Sequence, residues 1–306
     1  MIDKAMEHYN FCNPAATFLR HNENMTYKIS DSGKSYVLRI HKPAEGINFD
    51  FLRMGNDPVA QVASEAELLQ YLENTGNMET QKVIPNKHGQ AVTQLDDGLL
   101  VTVLEWIGGT TLEGTKISEE IAKEIGIMLG RLHTNVAGLA IKNRYRYDCA
   151  LLKKMIAEAD NAQLKGHFTK KHSAVMKSTL QHIHDYLSNA ERDFILVHSD
   201  LAMSNLIWNQ SRVIPIDFSL SGYCIPEMDL ASVFSHINNN ALHPHILDGY
   251  QSACGLIPCD KGVAVCFSLG ILLFLTAQHN KIAGESWLDA KMDGWCENYF
   301  LPLTNT

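Results

Sequence analysis

The first third of the chain contains short apolar runs that flank turn-forming residues. The runs at residues 25–29 and 35–40 lie on either side of "SDSGK", and "QAVTQL" and "LLVTVLEW" lie on either side of "DDG". Paired runs around Asp and Gly are typical of antiparallel hairpins, because these residues tolerate the backbone angles that tight turns need. The apolar pattern therefore predicts a small antiparallel sheet.

One helical pattern lies between these two hairpins. Val62, Glu65, Leu69 and Leu72 recur at helical spacing, so they are expected to share one face of a helix. Gly76 follows this pattern and predicts the end of the helix.

After Gly108 and Gly109 the pattern becomes mainly helical. Ser118 predicts the N-cap of a helix over "EEIAKEIGIMLGRLH". The apolar stripe of this helix consists of Ile121, Ile125, Met128, Leu129 and Leu132. Further helical patterns occur around residues 151–162, 172–189, 230–237 and 261–281.

These patterns predict an α+β fold with two lobes. We expect a small N-terminal lobe of antiparallel sheet with one helix at residues 1–105, and a larger, mainly helical C-terminal lobe at residues 106–306. A hinge at about residues 104–111 joins them. Clefts between lobes are preferred sites for small ligands.

Composition narrows the partners and the compartment. Of 306 residues, 45% are hydrophobic, and the formal net charge is −8 with scattered basic residues, so we expect neither a nucleic-acid nor a membrane partner. Seven cysteines without a C-x-x-C pair predict reduced thiols, and the N-terminus lacks the long apolar core of a secretory signal. We therefore expect a cytoplasmic protein, in which the apolar stretch at 261–281 is a buried helix.

Two segments place polar residues among short apolar runs. They are "VHSDLAMSN" at residues 197–205 and "PIDFS" at residues 215–219. A buried acid at a strand end must be paired, protonated or bound to metal. Asp200 and Asp217 supply two carboxylates and Asn205 a neutral oxygen, and oxygen donors of this kind suit Mg²⁺.

The spacing H-x-D-x-x-x-x-N followed by D-F is also the catalytic arrangement of protein kinases. From about residue 23 to residue 230, the chain resembles the aminoglycoside phosphotransferase and choline kinase family, whose members share the protein-kinase fold. The resemblance implies that Asp200 orients the acceptor hydroxyl, and that Asn205 and Asp217 hold Mg²⁺ on ATP. It places His198 and Asp229, which lies in "EMDLA", as structural support.

The resemblance also implies nucleotide-binding positions in the N-terminal lobe. "ENMTYKI" is similar to the loop over the ATP phosphates and points to Asn24, and "YVLRI" to the strand that carries the phosphate-binding Arg39 and Val37. "SEAELLQYL" is similar to the helix that carries the acidic partner of that arginine, which selects Glu65. In "VLEWIGGTTL" the backbone from Glu105 to Ile107 would bind adenine of ATP, or guanine of GTP.

Several positions depart from the family pattern. Arg39 stands where many kinases have Lys, and the two side chains differ in the geometry with which they hold phosphate. The loop over the phosphates lacks a glycine-rich run. Ser199 and Ser219 stand where the family commonly has the glycines of H-G-D and D-F-G. Neither serine removes a chemical group that the mechanism needs, whereas closure of the loop over ATP must rely on other backbone contacts.

The sequence predicts a phosphotransferase, acting as a monomer or homodimer, with a small-molecule hydroxyl as acceptor. Only "SLSGYCIPEM" separates "DF" from Asp229, which is too short for the activation segment of a protein kinase. The acceptor could be an aminoglycoside or other antibiotic, or a metabolite such as choline, homoserine or a sugar. A nucleotide-binding pseudokinase and, less favoured, a protein kinase are the alternatives.

The acceptor pocket is predicted only in outline. Acidic and aromatic side chains of the C-terminal lobe would together suit a cationic or sugar-like ligand, although each could equally belong to the core or the surface. The candidates are Tyr145, Tyr147, Asp148, Trp287, Asp289, Asp293, Trp295, Glu297 and Tyr299.

Overall fold

The computed structural model describes residues 1–53, 55–190 and 193–304. The N-terminal part begins with the short helix α1 (Ile2–Met6) and forms an antiparallel sheet with strand order β1-β2-β3-β6-β4, in which β5 also pairs with β6. The strands are β1 (Ala15–His21), β2 (Met25–Asp31), β3 (Lys34–Ile40), β4 (Val83–Ile84), β5 (Thr93–Gln94) and β6 (Leu100–Glu105).

Both predicted hairpins are present, but the sequence did not predict β1. This edge strand pairs only with β2, and most of its residues are exposed on both faces, so it shows no apolar alternation. Phe18 and Leu19 are 54% and 43% exposed. The register shifts between Phe18 and Arg20, and such a bulge changes the direction in which the following side chain points.

The predicted helix is α2 (Pro58–Thr75), which packs beside this sheet. Asp57 caps its N-terminus by accepting a hydrogen bond from the N–H of Ala60. Gly76 ends the helix in the left-handed conformation, at a φ of 66°, as predicted. Glu65 is buried on the inner face of α2, next to the sheet.

The rest of the chain is mainly helical. Ser118 caps α3 and accepts a hydrogen bond from the N–H of Ile121, and the five predicted stripe residues of α3 are all buried. The helices are α3 (Glu119–Val136), α4 (Cys149–Leu164), α5 (Lys170–Ser188), α6 (Glu227–His236), α7 (His243–Cys254), α8 (Asp260–Ile282), α9 (Leu288–Trp295) and, after a π-helical turn at Cys296–Phe300, α10 (Leu301–Thr304). The helices predicted after the hinge are confirmed as α3, α4, α5, α6 and α8. Helices α7 and α9 were not predicted.

Glycines bring α3 and α7 unusually close together. A Cβ atom on Gly126 would collide with the backbone of Ile246, and one on Gly249 would collide with the carbonyl of Lys123. Only residues without a side chain allow the two backbones to approach this far. The contact carries His133 of α3 against Tyr250 of α7.

Helix α8 is the one helix of the described residues that is long and apolar enough to cross a membrane. Over half of its apolar window, 56%, is buried within the protein. It packs against α4, α5 and α6 as the central helix of the largest apolar cluster. The prediction of a buried helix here is confirmed.

Two small sheets support the polar segments. In the first, β10 (Leu206–Trp208) pairs with β11 (Val213–Pro215) and with β7 (Thr110–Thr111), which follows the hinge. In the second, β12 (Gly222–Cys224) lies between β8 (Tyr145–Arg146) and β9 (Ile195–Val197). Gly109 has a φ of 140°, and a Cβ there would meet Ile207, so the hinge approaches β10 only because residue 109 is glycine.

Candidate active site

The loop between β9 and β10 folds back on itself and brings Asp200 and Asn205 together. A single 3-10 turn at Met203–Asn205 ends the loop. The side-chain Nδ2 of Asn205 donates to the backbone carbonyl of Asp200 at 2.9 Å and to the Oδ2 of Asp200 at 3.0 Å. Burial is the main reason that the pKa of Asp200 is raised, and the neighbouring charge of Asp217 adds to it. Asp200 thus holds a proton more readily than an ordinary carboxylate.

Asp229 anchors the start of this loop from below. Its carboxylate is fully buried and accepts hydrogen bonds from the backbone N–H of His198 at 2.9 Å and of Ser199 at 2.7 Å. His133 contacts the same carboxylate at 3.0 Å. Burial raises the pKa of Asp229, but the hydrogen bond and charge interaction with His133 outweigh burial and hold the pKa below its usual value. Asp229 therefore remains ionised and fixes the loop.

His198 lies beneath the loop and does not face a cavity. It is fully buried, its Nε2 lies 3.0 Å from the carbonyl oxygen of Ile216, and its ring packs on Phe218 at 4.4 Å. These contacts join the loop to the segment that carries Asp217. They suit the supporting role that the sequence predicts for His198.

Ser199 explains why the family commonly has glycine at this position. Its φ is 63°, in the left-handed region that favours glycine. The hydroxyl group of Ser199 donates to the carbonyl of Leu220 at 2.6 Å, and its N–H is held by Asp229. These hydrogen bonds offset the backbone strain of a non-glycine residue.

Two guanidinium groups hold Asp217. Arg39 donates to its Oδ1 at 2.9 Å, and Arg20 donates to its Oδ2 at 2.7 Å. Burial alone raises the pKa of Asp217, but the positive charges of Arg39 and then Arg20 outweigh it, so the pKa is lowered. The second nitrogen of Arg39 donates to Glu65 at 2.8 Å, and this pair is almost fully buried. Arg39, Glu65 and Asp217 therefore form one connected group.

Sequence reasoning missed Arg20. Its guanidinium lies between the side-chain oxygens of Asn205, at 3.5 Å, and Asp217. The residue belongs to the unpredicted edge strand β1 and follows the bulge that redirects it toward the loop. Because a bulge has no reliable sequence pattern, only the structure brings Arg20 into this group.

Glu23 is a second residue that the sequence did not indicate. It lies in the turn between β1 and β2 and accepts a hydrogen bond from the hydroxyl of Ser219 at 3.1 Å. Burial, followed by the negative charges of Asp200 and Asp217, raises the pKa of Glu23 to about 8. The buried Asn24 lies next to it, and both residues border a polar cavity of about 190 Å³ that also includes Arg20 and Asp217.

Both backbone polar groups of Glu105 in the hinge form hydrogen bonds within the protein. The backbone N–H of Glu105 donates to the carbonyl of Lys82 at 2.8 Å. The carbonyl of Glu105 accepts a hydrogen bond from the side-chain amide of Gln81 at 3.2 Å. The Oε1 of Gln81 in turn accepts from the N–H of Asp217 at 3.3 Å. Val37 pairs with Leu104, at the end of β6. Gln81, which the sequence did not predict, therefore couples the hinge backbone to Asp217.

Arg144 fixes the segment after Asp217. This buried residue donates to the carbonyls of Phe218 at 3.0 Å and Ser219 at 3.1 Å, and also to that of Ser221. In the sequence, Arg144 stands among other basic residues and resembles a surface charge. Its contacts bind residues 218–221 tightly, and the chain then passes through β12 directly into α6.

A largely apolar cavity of about 520 Å³ opens on the other side of Asp200. Of the aromatic candidates, Trp287 and Trp295 line this cavity, and Tyr147 borders a smaller adjoining cavity of about 160 Å³ that also reaches Asp200. Tyr145 instead lines a separate cavity of about 700 Å³, between α2 and the segment that follows β3.

The predicted acidic residues do not enter either cavity beside Asp200. Asp148 caps α4, and Asp293 pairs with His172 at 3.0 Å. Asp289 and Glu297 are exposed and line neither cavity, and Tyr299 packs on Phe267. None of the four predicted acids lines these two cavities, and the acidic and aromatic acceptor pocket stays a prediction.

Comparison with known proteins identifies relatives of this arrangement. Residues 15–260 match the model of the "Phosphotransferase enzyme family", abbreviated APH. No curated protein sequence matches the chain significantly.

Solved structures share the fold along nearly the whole chain. An amicoumacin kinase, hAmiN, in complex with AMP-PNP, Ca²⁺ and Ami has a TM-score of 0.73 at 18% identity, with 99% of this chain and 92% of that chain covered. A microcompartment-associated aminopropanol kinase has a TM-score of 0.74 at 18% identity, covering 99% and 94%. Choline kinase LicA from Streptococcus pneumoniae has a TM-score of 0.68 at 17% identity, covering 98% of each chain. The family match spans both lobes and the whole Asp200, Asn205 and Asp217 site, and the chain therefore belongs to the APH phosphotransferase enzyme family.

Proposed function

We propose that this protein transfers the γ-phosphoryl group of ATP to a hydroxyl group of a small molecule. The observation that carries this proposal is the position of Asp200. Its carboxylate borders both the polar cavity that contains Asp217 and Asn205 and the apolar cavity of the C-terminal lobe. A carboxylate at such a junction can meet a phosphoryl donor on one side and an acceptor hydroxyl on the other.

The polar cavity offers a suitable site for Mg²⁺. The side-chain oxygens of Asn205 and Asp217 already face one common cation, the guanidinium of Arg20. Oxygen donors of this kind, with at least one carboxylate, are those that Mg²⁺ uses together with phosphate oxygens and water. Asn205 and Asp217 would hold the ion, which would neutralise negative charge on the phosphates.

The protein side chains would perform the remaining steps. Arg39, held by Glu65, would contact the phosphates, and the hinge from Glu105 to Ile107 would contact the base of ATP or GTP. Asp200 would orient the acceptor hydroxyl in line with the γ-phosphorus. The acceptor oxygen forms a bond to that phosphorus, the bond to the leaving ADP oxygen breaks, and the hydroxyl proton passes to Asp200. The raised pKa of Asp200 suits a group that accepts a proton late in the reaction.

The short segment after Asp217 supports a small acceptor over a protein acceptor. Arg144 holds the carbonyls of residues 218–221, and α6 begins at Glu227. A protein kinase has its activation segment at this point, where it docks the polypeptide substrate. Relatives of the same fold are described as kinases of amicoumacin, aminopropanol and choline.

The proposal can be tested with purified protein, ATP, Mg²⁺ and a panel of hydroxyl compounds. Product masses and ADP release identify turnover. Asp200→Asn should lower kcat by about 10²- to 10⁴-fold while ATP binding, measured by calorimetry, stays within about twofold. Asp217→Asn should abolish the Mg²⁺ dependence of ATP binding.

Asp96→Asn is the matched control, because Asp96 is an exposed acid far from the site in sequence and its side chain makes no contact with the cavities. It should retain full activity. If Asp200→Asn turned over as fast as the wild type, the proposed role of Asp200 would be wrong. A nucleotide-binding pseudokinase would instead bind ATP and form no phosphorylated product with any acceptor.

A further inference from the structure

The walls and charges of the apolar cavity beside Asp200 limit which acceptors can bind there. We infer that the acceptor is a predominantly apolar hydroxyl compound without a positive charge, and that a carboxylate at its far end is preferred over an amine. This inference rests on the proposed function, because it assigns the acceptor side of the same site.

The walls of the cavity are mainly aromatic and aliphatic. Helix α8 contributes Phe267, Ile271 and Phe274, and the segment that leads into α9 and its last turn contribute Trp287 and Trp295. Burial of a ligand against such walls yields about 25 cal/mol per Å² of apolar surface. A sugar or an aminoglycoside presents mostly polar surface, which these walls cannot satisfy with hydrogen bonds.

The charges in the cavity also oppose a cationic ligand. Among the residues that line it, Asp200 is the one acid, and Lys291 is a base. An aminoglycoside carries several ammonium groups, each of which needs a carboxylate or similar partner when it is buried. The exposed acids Asp289 and Asp293 lie on α9 but do not line the cavity.

Lys291 also lies over Trp295, one of the aromatic rings that line the cavity. Its ammonium lies 5.7 Å from the centre of the Trp295 ring. A second cation on the same ring would lose part of the cation–π attraction and would be repelled by Lys291. In the described part of the chain, no carboxylate pairs with Lys291, so its ammonium is available to an anionic group of the acceptor.

Three further polar residues along the cavity make hydrogen bonds within the protein. Ser232 accepts a hydrogen bond from the N–H of Leu201 at 2.9 Å, and Ser235 donates to the carbonyl of Ser232 at 2.7 Å. Nδ1 of His236 lies 2.9 Å from the same carbonyl. Asp200 and Lys291 are the carboxylate and the ammonium along the cavity that can orient an acceptor.

A matched set of probes tests this inference. We would use benzyl alcohols with an ethyl, a carboxymethyl or an aminoethyl group in the para position, and kanamycin as a polycation. Binding to the protein loaded with AMP-PNP and Mg²⁺ is measured by calorimetry, and phosphorylation with ATP by mass spectrometry. The carboxymethyl compound should bind about tenfold more tightly than the aminoethyl compound, which corresponds to about 1.4 kcal/mol.

Two variants locate the source of this preference. Lys291→Met should remove the advantage of the carboxymethyl compound and leave binding of the ethyl compound unchanged. Phe274→Ala should weaken binding of all three benzyl alcohols several-fold. Lys153→Met is the control, because Lys153 is an exposed lysine of α4 that lies outside the cavity, and it should change neither value.

The outcomes separate this inference from the proposed function. Tighter binding of the aminoethyl compound or of kanamycin, or no binding of any benzyl alcohol at millimolar concentration, would overturn the inference. Phosphorylation of an amine acceptor would overturn it as well, but would support the proposed kinase function. If the wild type did not bind ATP in a Mg²⁺-dependent manner, the proposed function would be refuted instead.

Discussion

Replacement of Asp229 by Asn tests whether one buried carboxylate holds the loop that carries Asp200. The carboxylate accepts two backbone hydrogen bonds and contacts His133, at distances of 2.7 to 3.0 Å. Asn keeps the shape of Asp, but its NH₂ group must face the N–H of either His198 or Ser199. One buried N–H then loses its acceptor, and the negative charge is lost as well.

The expected destabilisation follows from these contacts. Hydrogen bonds to a charged group contribute about 1.5–3 kcal/mol each, and breaking a buried charged network costs about 3–5 kcal/mol. Because the lost interactions are not additive, we expect Asp229→Asn to lower the free energy of unfolding by about 3 kcal/mol. Urea titration at neutral pH, followed by the fluorescence of the four tryptophans, would measure this change.

The pH dependence provides a second check. The pKa of Asp229 is lower in the folded protein than in the unfolded chain, so its contribution to stability is present above about pH 4. The contribution is lost as the pH falls toward the pKa of the folded state, and the wild type should approach the variant there. Asp96→Asn should change stability by less than about 0.5 kcal/mol. A loss below about 1 kcal/mol for Asp229→Asn at neutral pH would refute the anchoring role.

Three further predictions concern other parts of the structure. Arg20→Met removes one of the two cations that face Asp217, so Mg²⁺ should bind several-fold more tightly in the presence of AMP-PNP, and weaker binding in calorimetry would contradict this. Burial and Arg39 lower the pKa of His41 to about 3, so the unfolded chain binds the extra proton below about pH 6.5. The free energy of unfolding of the wild type should therefore fall as the pH decreases below about 6.5, by up to about 2 kcal/mol at pH 5. His41→Gln should lose this part of the pH dependence in urea titrations. An unchanged pH dependence in the variant would contradict the burial of a neutral imidazole. Gly249→Ala should destabilise by about 2 kcal/mol in thermal unfolding, because its Cβ would collide with α3, whereas Gly270→Ala, which has open space, should not.

Local sequence patterns were sufficient for the hairpins, most of the long helices and the motif that contains Asp200 and Asn205. The turn residues around "SDSGK" and "DDG", and the helical spacing of Ile121, Ile125 and Leu129, each act over a few residues. The contact between Asp200 and Asn205 is also local, because only five positions separate them and a loop this short keeps its two ends close together. The structure brings these two side chains within hydrogen-bond distance.

The tertiary structure alone decided which distant residues join them. Arg20 reaches Asp217 across 197 positions, and Arg144 reaches Phe218 across 74, through contacts that leave no periodic pattern in the sequence. The edge strand that carries Arg20 is exposed on both faces, so it lacks the alternation by which strands are recognised.

The apolar cavity beside Asp200 shows the same division. Composition suggested acids and aromatics together, but the helical rotation of α9 places Trp295 and Lys291 toward the cavity and Asp293 toward His172. The sequence by itself determined the two hairpins, most of the long helices and the motif of the phosphotransferase family, because these depend on neighbouring residues. The charge and polarity of the apolar cavity beside Asp200 depend on how separate helices pack, and only the tertiary structure decided them.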